Sequence, residues 1–310
     1  MNAVEAAGLS KRFRRTWALR DCTLTVPAGH VVALVGPNGA GKTTLLNLMV
    51  GLTAPTTGSV TVLGGEQAGS AAARSAIAFV AQDAPLYGNL SVADTLHLAR
   101  NLNLRWDQRR ATGRLAELGI PLNRKVGKLS GGQQAQLALT LAVARLPELI
   151  ILDEPLARLD PLARHDFMAS LMAAVAEDGL SVLFSSHVVA ELERVADYLI
   201  VLSRGQMQMS GTVDDLIAGH CVLTGPAAEA DIYSERLPVV HIRRAGVQAH
   251  LLVRMNGHAE PVPPGWTAHP VDLEELVLAY LREPGASALP GPARLPGPAA
   301  QSDTGVAMLS

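Results

Sequence analysis

A glycine-rich segment stands between a short apolar run and a helical pattern. Residues 31–35 are apolar, residues 36–44 fit the pattern G-x-x-x-x-G-K-[ST], and the helical run 45–50 follows. Glycines let a loop curl until its backbone N–H groups converge on phosphate oxygens, and the next helix directs the positive end of its dipole at them. The sequence therefore predicts a triphosphate site, although a glycine-rich turn that binds no ligand is the alternative. The candidate binding residues are Gly36, Pro37, Asn38, Gly39, Ala40, Gly41, Lys42, Thr43 and Thr44.

Within this segment two side chains carry distinct expectations. Lys42 is expected to reach the β- and γ-phosphates. The Thr43 hydroxyl is expected to bind Mg²⁺, because this hard cation prefers oxygen ligands.

Two acidic residues follow another apolar run. Residues 149–152 predict a buried strand that ends in Asp153, Glu154 and Pro155, and ligands of open α/β sheets gather at such carboxyl ends. Asp153 is expected to hold Mg²⁺ through water. Glu154 is expected to polarise the water that attacks the γ-phosphate, as a general base. The alternative is an acidic turn that only caps the strand.

A second helix start suited to phosphate lies at Ser130. Serine is a good N-cap, and Leu137 and Leu141 follow at helical spacing. Gly131 and Gly132 leave the backbone N–H groups open to a phosphate at that end of the helix. One chain thus carries two potential phosphate-binding helix starts.

Residues 129–133, Leu-Ser-Gly-Gly-Gln, resemble the signature of the ATP-binding cassette (ABC) ATPases, and further motifs of that family follow the expected order over residues 3–215. The matching positions are Gln82 for the Q-loop glutamine, Leu159-Asp160 for the D-loop, His187 for the switch histidine, and Phe13 for the aromatic residue stacked on adenine, with Trp17 as a nearby rival. Arg158 departs from the small residues usual in the D-loop.

The resemblance implies roles for these residues, with ATP and Mg²⁺ as cofactors. Glu154, His187 and Gln82 would be catalytic, with His187 contacting the γ-phosphate and Gln82 also binding Mg²⁺ at the start of a mobile loop. Asp160, together with the signature residues Ser130, Gly131, Gly132 and Gln133, would contribute to nucleotide binding. Two copies would stack head to tail, so that each ATP is held between the Lys42 loop of one copy and the Ser130 helix of the other.

The family resemblance also implies partners and a location. The chain is expected to be the ATPase subunit of an ABC transporter, peripheral on the cytoplasmic face of the cell membrane through a separate membrane-spanning permease, and to power export rather than import. Leu86, Tyr87 and Leu90 form a candidate groove for a partner's helix, or they pack within the helical subdomain. The alternatives are a soluble ABC ATPase of DNA repair or translation, and a kinase or GTPase with the same phosphate loop.

Short unbroken runs of Val, Ile and Leu alternate with helical patterns up to about residue 212, which predicts an α/β fold with a mostly parallel core sheet. These runs are 31–35, 77–80, 149–152, 182–184 and 198–202. Residues 22–26 and 60–62 alternate apolar residues with threonine, as half-buried antiparallel strands do. The family resemblance implies that this fold is a P-loop NTPase of the ABC ATPase type, with an antiparallel β subdomain and a helical subdomain that carries the signature.

Changes of pattern divide the chain into three predicted parts. The ABC ATPase domain is expected to span 1–218, and a small α+β extension without evident chemistry to span 219–284. That extension contains a hairpin from 239–243 and 248–253 and a helix over 273–281. Residues 285–310 are rich in Pro, Gly and Ala and are expected to be disordered.

Composition excludes several classes of protein. The 310 residues carry a net charge of −2 and two cysteines, so neither a disulfide framework nor a zinc cluster is expected. No apolar run approaches the ~20 residues that cross a bilayer, and the N-terminus lacks the apolar core of a secretory signal. A basic stripe suited to a nucleic-acid backbone is missing, so no nucleic-acid partner is expected.

Overall fold

The computed structural model describes residues 1–82, 86–189, 195–255 and 262–288. Its strands are β1 (Asn2–Phe13), β2 (Thr16–Pro27), β3 (Val31–Val35), β4 (Thr57–Val62), β5 (Glu66–Gln67), β6 (Ile77–Val80), β7 (Leu149–Leu152), β8 (Ser181–Ser186), β9 (Tyr198–Ser203), β10 (Gln206–Thr212), β11 (His220–Pro226), β12 (Val239–Ala245), β13 (Gln248–Arg254) and β14 (Thr267–Pro270). Its helices are α1 (Lys42–Met49), α2 (Ala71–Ala76), α3 (Val92–Leu102), α4 (Gln108–Glu117), α5 (Gly131–Ala144), α6 (Pro161–Asp178), α7 (Val213–Ala218), α8 (Ala230–Ser234) and α9 (Leu273–Arg282). In these ranges, no helix has the length and apolar character needed to span a bilayer.

A six-stranded sheet forms the centre of the molecule, in the order β10-β9-β3-β8-β7-β6. Strands β3, β6, β7, β8 and β9 are parallel, and β10 pairs antiparallel with β9 at one edge. Every residue of β3 and β7 is buried, as expected for strands covered on both faces. The predicted α/β fold with a mostly parallel core sheet is confirmed, and it brings the carboxyl ends of β3, β7 and β8 to one edge.

An antiparallel sheet packs beside the central one, in the order β2-β1-β4-β5. Helix α1 lies between the two sheets, and its residues Leu45, Leu46, Leu48 and Met49 are buried in a core that both sheets share. The glycine-rich loop before α1 is therefore held between rigid elements on either side.

Helices α3, α4 and α5 form a separate layer. Residues of α3, α4 and α5, among them Leu96, Leu115 and Leu137, pack into one apolar cluster. Leu86 packs partly against this cluster, whereas Tyr87 is 64% exposed. Leu86 therefore packs within the helical subdomain, as the second of the two predictions had it. Tyr87 lies on the surface.

Residues after α7 form a third sheet, in the order β12-β13-β11-β14. The hairpin predicted around residue 245 is the β12–β13 pair, and the helix predicted over 273–281 is α9. One face of this sheet covers a small core with α8, and the other joins the main core through Val222, Leu252 and residues of α9. The domain boundaries themselves stay predictions.

Only the first residues of the predicted tail lie within the described ranges. Residues Pro284–Ala288 form a 3-10 helix in which Ala286 is buried, so the first residues assigned to the tail have a defined conformation. Residues 289–310 lie outside the described ranges, where the expectation of disorder stays a prediction.

Candidate active site

The glycine-rich loop connects the end of β3 to the start of α1. Gly39 and Gly41 have φ values of 80° and 105°, in the region that glycine adopts without strain. A Cβ on Gly36 would lie 2.2 Å from the carbonyl oxygen of Leu202, so the loop passes too close to β9 for any side chain. The predicted glycine requirement therefore has a steric cause at Gly36 and a conformational cause at Gly39 and Gly41.

The Lys42 side chain folds back over this loop. It is only 5% exposed, and its Nζ donates to the carbonyl oxygens of Gly36 at 2.8 Å and Pro37 at 3.3 Å. The same Nζ lies 3.1 Å from Oε1 of Glu154. These three partners hold the buried Lys42 ammonium in one position at the start of α1.

The acidic pair follows β7 and is tied to the neighbouring strand by one serine. Asp153 is 2% exposed, and its Oδ1 accepts a hydrogen bond from Ser185 Oγ at 2.7 Å. The backbone N–H of Glu154 donates to the same Ser185 Oγ at 2.8 Å. Glu154 has a φ of 46°, a left-handed conformation uncommon for a residue with a side chain. This turn directs the two carboxylates to different places, Asp153 into the protein and Glu154 into the cleft above it.

His187 completes the surroundings of Glu154. It follows β8 and is exposed, and its Nδ1 lies 3.2 Å from Glu154 Oε2. One carboxylate oxygen of Glu154 thus faces Lys42 and the other faces His187. A carboxylate between these groups, next to solvent, is suited to accept a proton from an attacking water.

A cleft of about 590 Å³ brings these groups together. It is lined by Ala18, Asn38, Gly39, Ala40, Gly41, Lys42, Thr43, Thr44, Gln82, Glu154, Ala157, Arg158 and His187. This volume suits a nucleotide-sized ligand. Gly36 and Pro37 are not among these lining residues, and their carbonyl oxygens accept hydrogen bonds from Lys42.

The candidate metal ligands all offer oxygen. Thr43 and Gln82 line the cleft with a hydroxyl and an amide, and Asp153 lies directly before Glu154 with a carboxylate. Across the described residues, no group of three or more His, Cys, Asp or Glu side chains is placed to hold a metal. The available donors are those that Mg²⁺ accepts when substrate phosphates and water supply its other ligands.

The signature residues lie apart from this cleft. Ser130 caps α5: its Oγ accepts from the N–H of Gln133 at 3.2 Å, and the Gln133 side chain accepts from the N–H of Ser130 at 3.1 Å. Ser130 and Gly131 are exposed, and none of the residues lining the cleft in the described chain comes from 130–133. The predicted N-cap is thus present, on a different surface from Lys42.

The structure does not place the predicted aromatic residue at the cleft. Phe13 is 51% exposed with the Lys11 ammonium 5.0 Å from its ring centre, and neither Phe13 nor Trp17 is among the cleft residues, although Ala18 is. The adenine platform stays a prediction.

Asp160 caps α6, where its Oδ1 accepts a hydrogen bond from the N–H of Ala163 at 2.9 Å.

Two residues of the site were missed by the sequence argument. Ser185 joins Asp153 to Glu154, and its signal was a serine that follows the apolar run 182–184 in a fully buried strand. Arg158 lines the cleft, whereas the sequence only marked it as a departure from the family pattern.

Comparison with known proteins assigns the family. Residues 19–157 match the family model described as ABC transporter. Nod factor export ATP-binding protein I of Rhizobium johnstonii is 35% identical over 227 residues, which cover 69% of this chain and 71% of that protein. Thiamine import ATP-binding protein ThiQ of Salmonella typhimurium is 34% identical over 203 residues, 64% of this chain and 86% of that protein.

Solved structures agree with this assignment. The ATP-binding subunit of an ABC transporter matches with a TM-score of 0.62 at 28% identity, over 70% of this chain and 92% of that one. The dimeric structure of MJ0796, a bacterial ABC transporter cassette, matches with a TM-score of 0.61 at 25% identity, over 68% of this chain and 98% of that one.

The chain belongs to the ATP-binding subunits of ABC transporters. It binds ATP and hydrolyses it to power transport, as a dimer that works with membrane components of the transporter. These findings favour transport over the alternatives in DNA repair or translation, and over a kinase or GTPase.

Proposed function

We propose that two copies of this chain clasp ATP between them and drive export through a separate membrane-spanning permease. One observation carries the composite site: the cleft around Lys42 contains no residue from 130–133 in the described chain, while the capped start of α5 is exposed elsewhere. A second copy stacked head to tail supplies the missing half, because the N-terminus of an exposed helix attracts phosphate.

The residues of the cleft have different roles in hydrolysis. Lys42 and the backbone of residues 36–44 bind and orient the β- and γ-phosphates. Glu154 accepts a proton from the attacking water, and His187 contacts the γ-phosphate while orienting Glu154. Gln133 and Asp160 act at the dimer interface, where their caps hold the starts of α5 and α6. Phe13 stacks on the adenine.

Mg²⁺ fits the oxygen donors of the site. Thr43, Gln82 and Asp153 would hold it, with Asp153 acting through water, and when bound it would supply positive charge to the phosphates. Ser185 Oγ donates to the Asp153 carboxylate at 2.7 Å and thereby fixes its orientation.

Export is the proposed direction. The similarity to the Nod factor export protein extends over 227 residues, compared with 203 for the thiamine import protein, at nearly equal identity. The permease places the subunit on the cytoplasmic face of the membrane, where ATP is available.

A mixing experiment tests the composite site. Lys42→Ala and Ser130→Asp each disable both sites of a homodimer, but the mixed dimer retains one intact site formed by the unchanged half of each copy. Aspartate caps a helix as well as serine, so Ser130→Asp retains the fold of α5 while repelling phosphate. With random exchange of subunits, we expect the mixture to regain about a quarter of the parental ATPase rate. Ser130→Asn, a neutral cap, is the matched control and is expected to remain active.

Failure of the mixture to exceed the sum of the two variants would contradict the shared site. The direction of transport is tested separately, by comparing solutes inside and outside cells that carry the parental chain or Glu154→Gln. An exported solute accumulates inside the variant cells, whereas depletion of a solute inside them would assign import.

A further inference from the structure

We propose that the extension after α7 binds an elongated zwitterion, a short peptide with free ends, in a cavity between α9 and the third sheet. The cavity has a volume of about 390 Å³, and its lining comes from β11, β12, β13 and α9. Cavities of this size take small ligands. Among the described residues it has no lining residue in common with the nucleotide cleft, so the proposal goes beyond the proposed function and does not depend on it.

Helix α9 crosses the third sheet from one edge to the other. It begins just after β14, the edge strand that pairs with β11. Its other end lies at β12, the opposite edge strand, because Oε1 of Glu283 lies 3.3 Å from Nδ1 of His241. Neighbouring strands are about 4.8 Å apart, so the two edges are separated by about 14 Å. The cavity between helix and sheet therefore has two distinct ends.

The two ends of the cavity carry opposite charges. At the start of α9, next to β14, the lining residues are Asp272, Glu274 and Glu275, whereas Arg282 lines the cavity at the end of α9. Arg243 of β12 adds a second guanidinium to the lining on that side of the sheet. The helix dipole favours acidic residues at the start of α9 and a basic residue at its end, but it does not account for Arg243.

Apolar side chains lie between these charges. Glu274, Leu278 and Arg282 recur every four residues, so they follow one side of α9 over about 12 Å. On the sheet, Val222 and Leu252 are paired in register across β11 and β13, and both are buried. The cavity thus runs from carboxylates over an apolar floor to guanidinium groups.

Neither guanidinium is neutralised by a carboxylate within the described ranges. Arg243 and Arg282 share the cavity with three acidic residues, yet neither forms an ion pair with the part of the chain that the structure describes. At the acidic end, Asp272 Oδ1 accepts from the N–H of Glu275 at 2.6 Å and caps α9. The side chains of Glu274 and Glu275 likewise form no ion pair in those ranges.

The order of these groups defines the ligand. A purely anionic ligand would be repelled by the carboxylates, and a purely cationic one by the guanidinium groups. An ammonium suits the acidic end, and a carboxylate suits Arg243 or Arg282, because a guanidinium donates two parallel hydrogen bonds to it. Three extended residues span about 10 Å, so a tripeptide with an apolar centre has its two charges at a matching distance.

Calorimetric titration of the full chain with the tripeptide alanyl-leucyl-alanine, in the absence of nucleotide, tests the proposal. We expect saturable binding at one site per chain. Acetylation of the peptide's amino end, or amidation of its carboxyl end, is expected to weaken binding about tenfold, because each removes one charge-assisted contact. These blocked peptides test the contacts without altering the chain.

Variants of the lining locate each end of the peptide. Arg282→Ala is expected to weaken binding of the free peptide about tenfold and to leave binding of the amidated peptide unchanged, because the carboxylate that it contacts is already lost. Glu274→Gln is expected to do the same for the free and the acetylated peptide. Arg236→Ala and Glu235→Gln change exposed residues outside the cavity and are the matched controls, expected to bind as the parental chain does.

Three results would overturn the proposal. The first is the absence of saturable binding up to about 10 mM peptide. The second is equal affinity for the free and the blocked peptides, and the third is equal affinity of Arg282→Ala and Arg236→Ala with unchanged melting temperatures. None of these measurements involves ATP, so their failure and the failure of the mixing experiment are distinguishable.

Discussion

The Nζ of Lys42 lies 3.1 Å from Oε1 of Glu154, so the residue expected to bind phosphate is paired with the residue expected to activate water. Both side chains are largely shielded from solvent, which makes the pair sensitive to the loss of either partner. A γ-phosphate that approaches Lys42 competes with Glu154 for the same ammonium. We therefore expect phosphate binding to free a carboxylate oxygen of Glu154 when a proton acceptor is needed.

Replacing Glu154 by glutamine is expected to abolish hydrolysis and retain ATP binding. Glutamine keeps an oxygen for Lys42 but no longer accepts a proton at neutral pH. We expect the ATPase rate to fall by a factor of about 10² or more, and the variant to accumulate as an ATP-bound dimer in size-exclusion chromatography with light scattering.

Glu148→Gln is the control for Glu154→Gln. Glu148 is an exposed carboxylate at the opposite end of β7, and its loss is expected to leave the rate unchanged. If Glu154→Gln hydrolyses ATP at the parental rate, Glu154 is not the base.

Replacing Ser185 by alanine tests the link between the two acidic residues. Ser185 Oγ donates to Asp153 and accepts from the N–H of Glu154, so its removal leaves a buried carboxylate without that donor. We expect a loss of about 1–3 kcal/mol in the free energy of unfolding, measured by urea titration. Ser203→Ala is the matched control, because Ser203 is a buried serine of β9, a strand that does not neighbour β7. Equal losses in both variants would show that the Ser185 network carries no special stability.

Stability is expected to fall in mild acid because of His220. Its Nε2 lies 2.9 Å from Tyr280 Oη, and burial, with a smaller effect of Arg254, lowers its pKa from 6.5 to about 4. Between these values the unfolded chain holds a proton that the folded chain does not. The contribution of His220 is therefore complete above pH 6.5 and is lost progressively as the pH falls toward 4, by about 3 kcal/mol at most.

His220→Gln is expected to flatten this part of the pH dependence of the unfolding free energy. His165→Gln, which removes an exposed imidazole, is expected to leave the curve unchanged. Parallel curves for the parental chain and His220→Gln across pH 4–6.5 would contradict the assignment.

The phosphate loop is expected to reject any side chain at its first glycine. A methyl group on Gly36 would meet the Leu202 carbonyl at 2.2 Å, so Gly36→Ala must displace the loop or β9. We expect it to lose ATP binding and to lower the melting temperature. Gly113→Ala is the contrasting change, since nothing lies within 4 Å of the added methyl group in α4. It is expected to stabilise the chain by about 0.5–1 kcal/mol, and a destabilisation by Gly113→Ala would contradict this account of the helix.

Periodicity and motif spacing predicted the parallel strands of the central sheet and the glycine-rich loop and acidic pair that follow two of them. The runs around Val31 and Leu149 are unbroken because both faces of those strands are covered, and this pattern is local in the sequence. The cap at Ser130 was also predictable, because it depends on residues only three positions apart.

Contacts between distant segments could not be predicted in the same way. The ion pair of Lys42 with Glu154 and the hydrogen bond from Ser185 to Asp153 join segments far apart in the chain, and their geometry depends on the strand order. The left-handed conformation of Glu154 had no signal, because such a φ is normally expected of glycine or asparagine.

The extension that follows Ala218 shares its apolar interior with the cassette. Val277 and Tyr280 of α9 belong to the same buried cluster as Phe184 and Val201 of the central sheet. Among the described residues, this face of the extension has no apolar core separate from that of the central sheet. We therefore expect the third sheet to move together with the central sheet as one rigid unit.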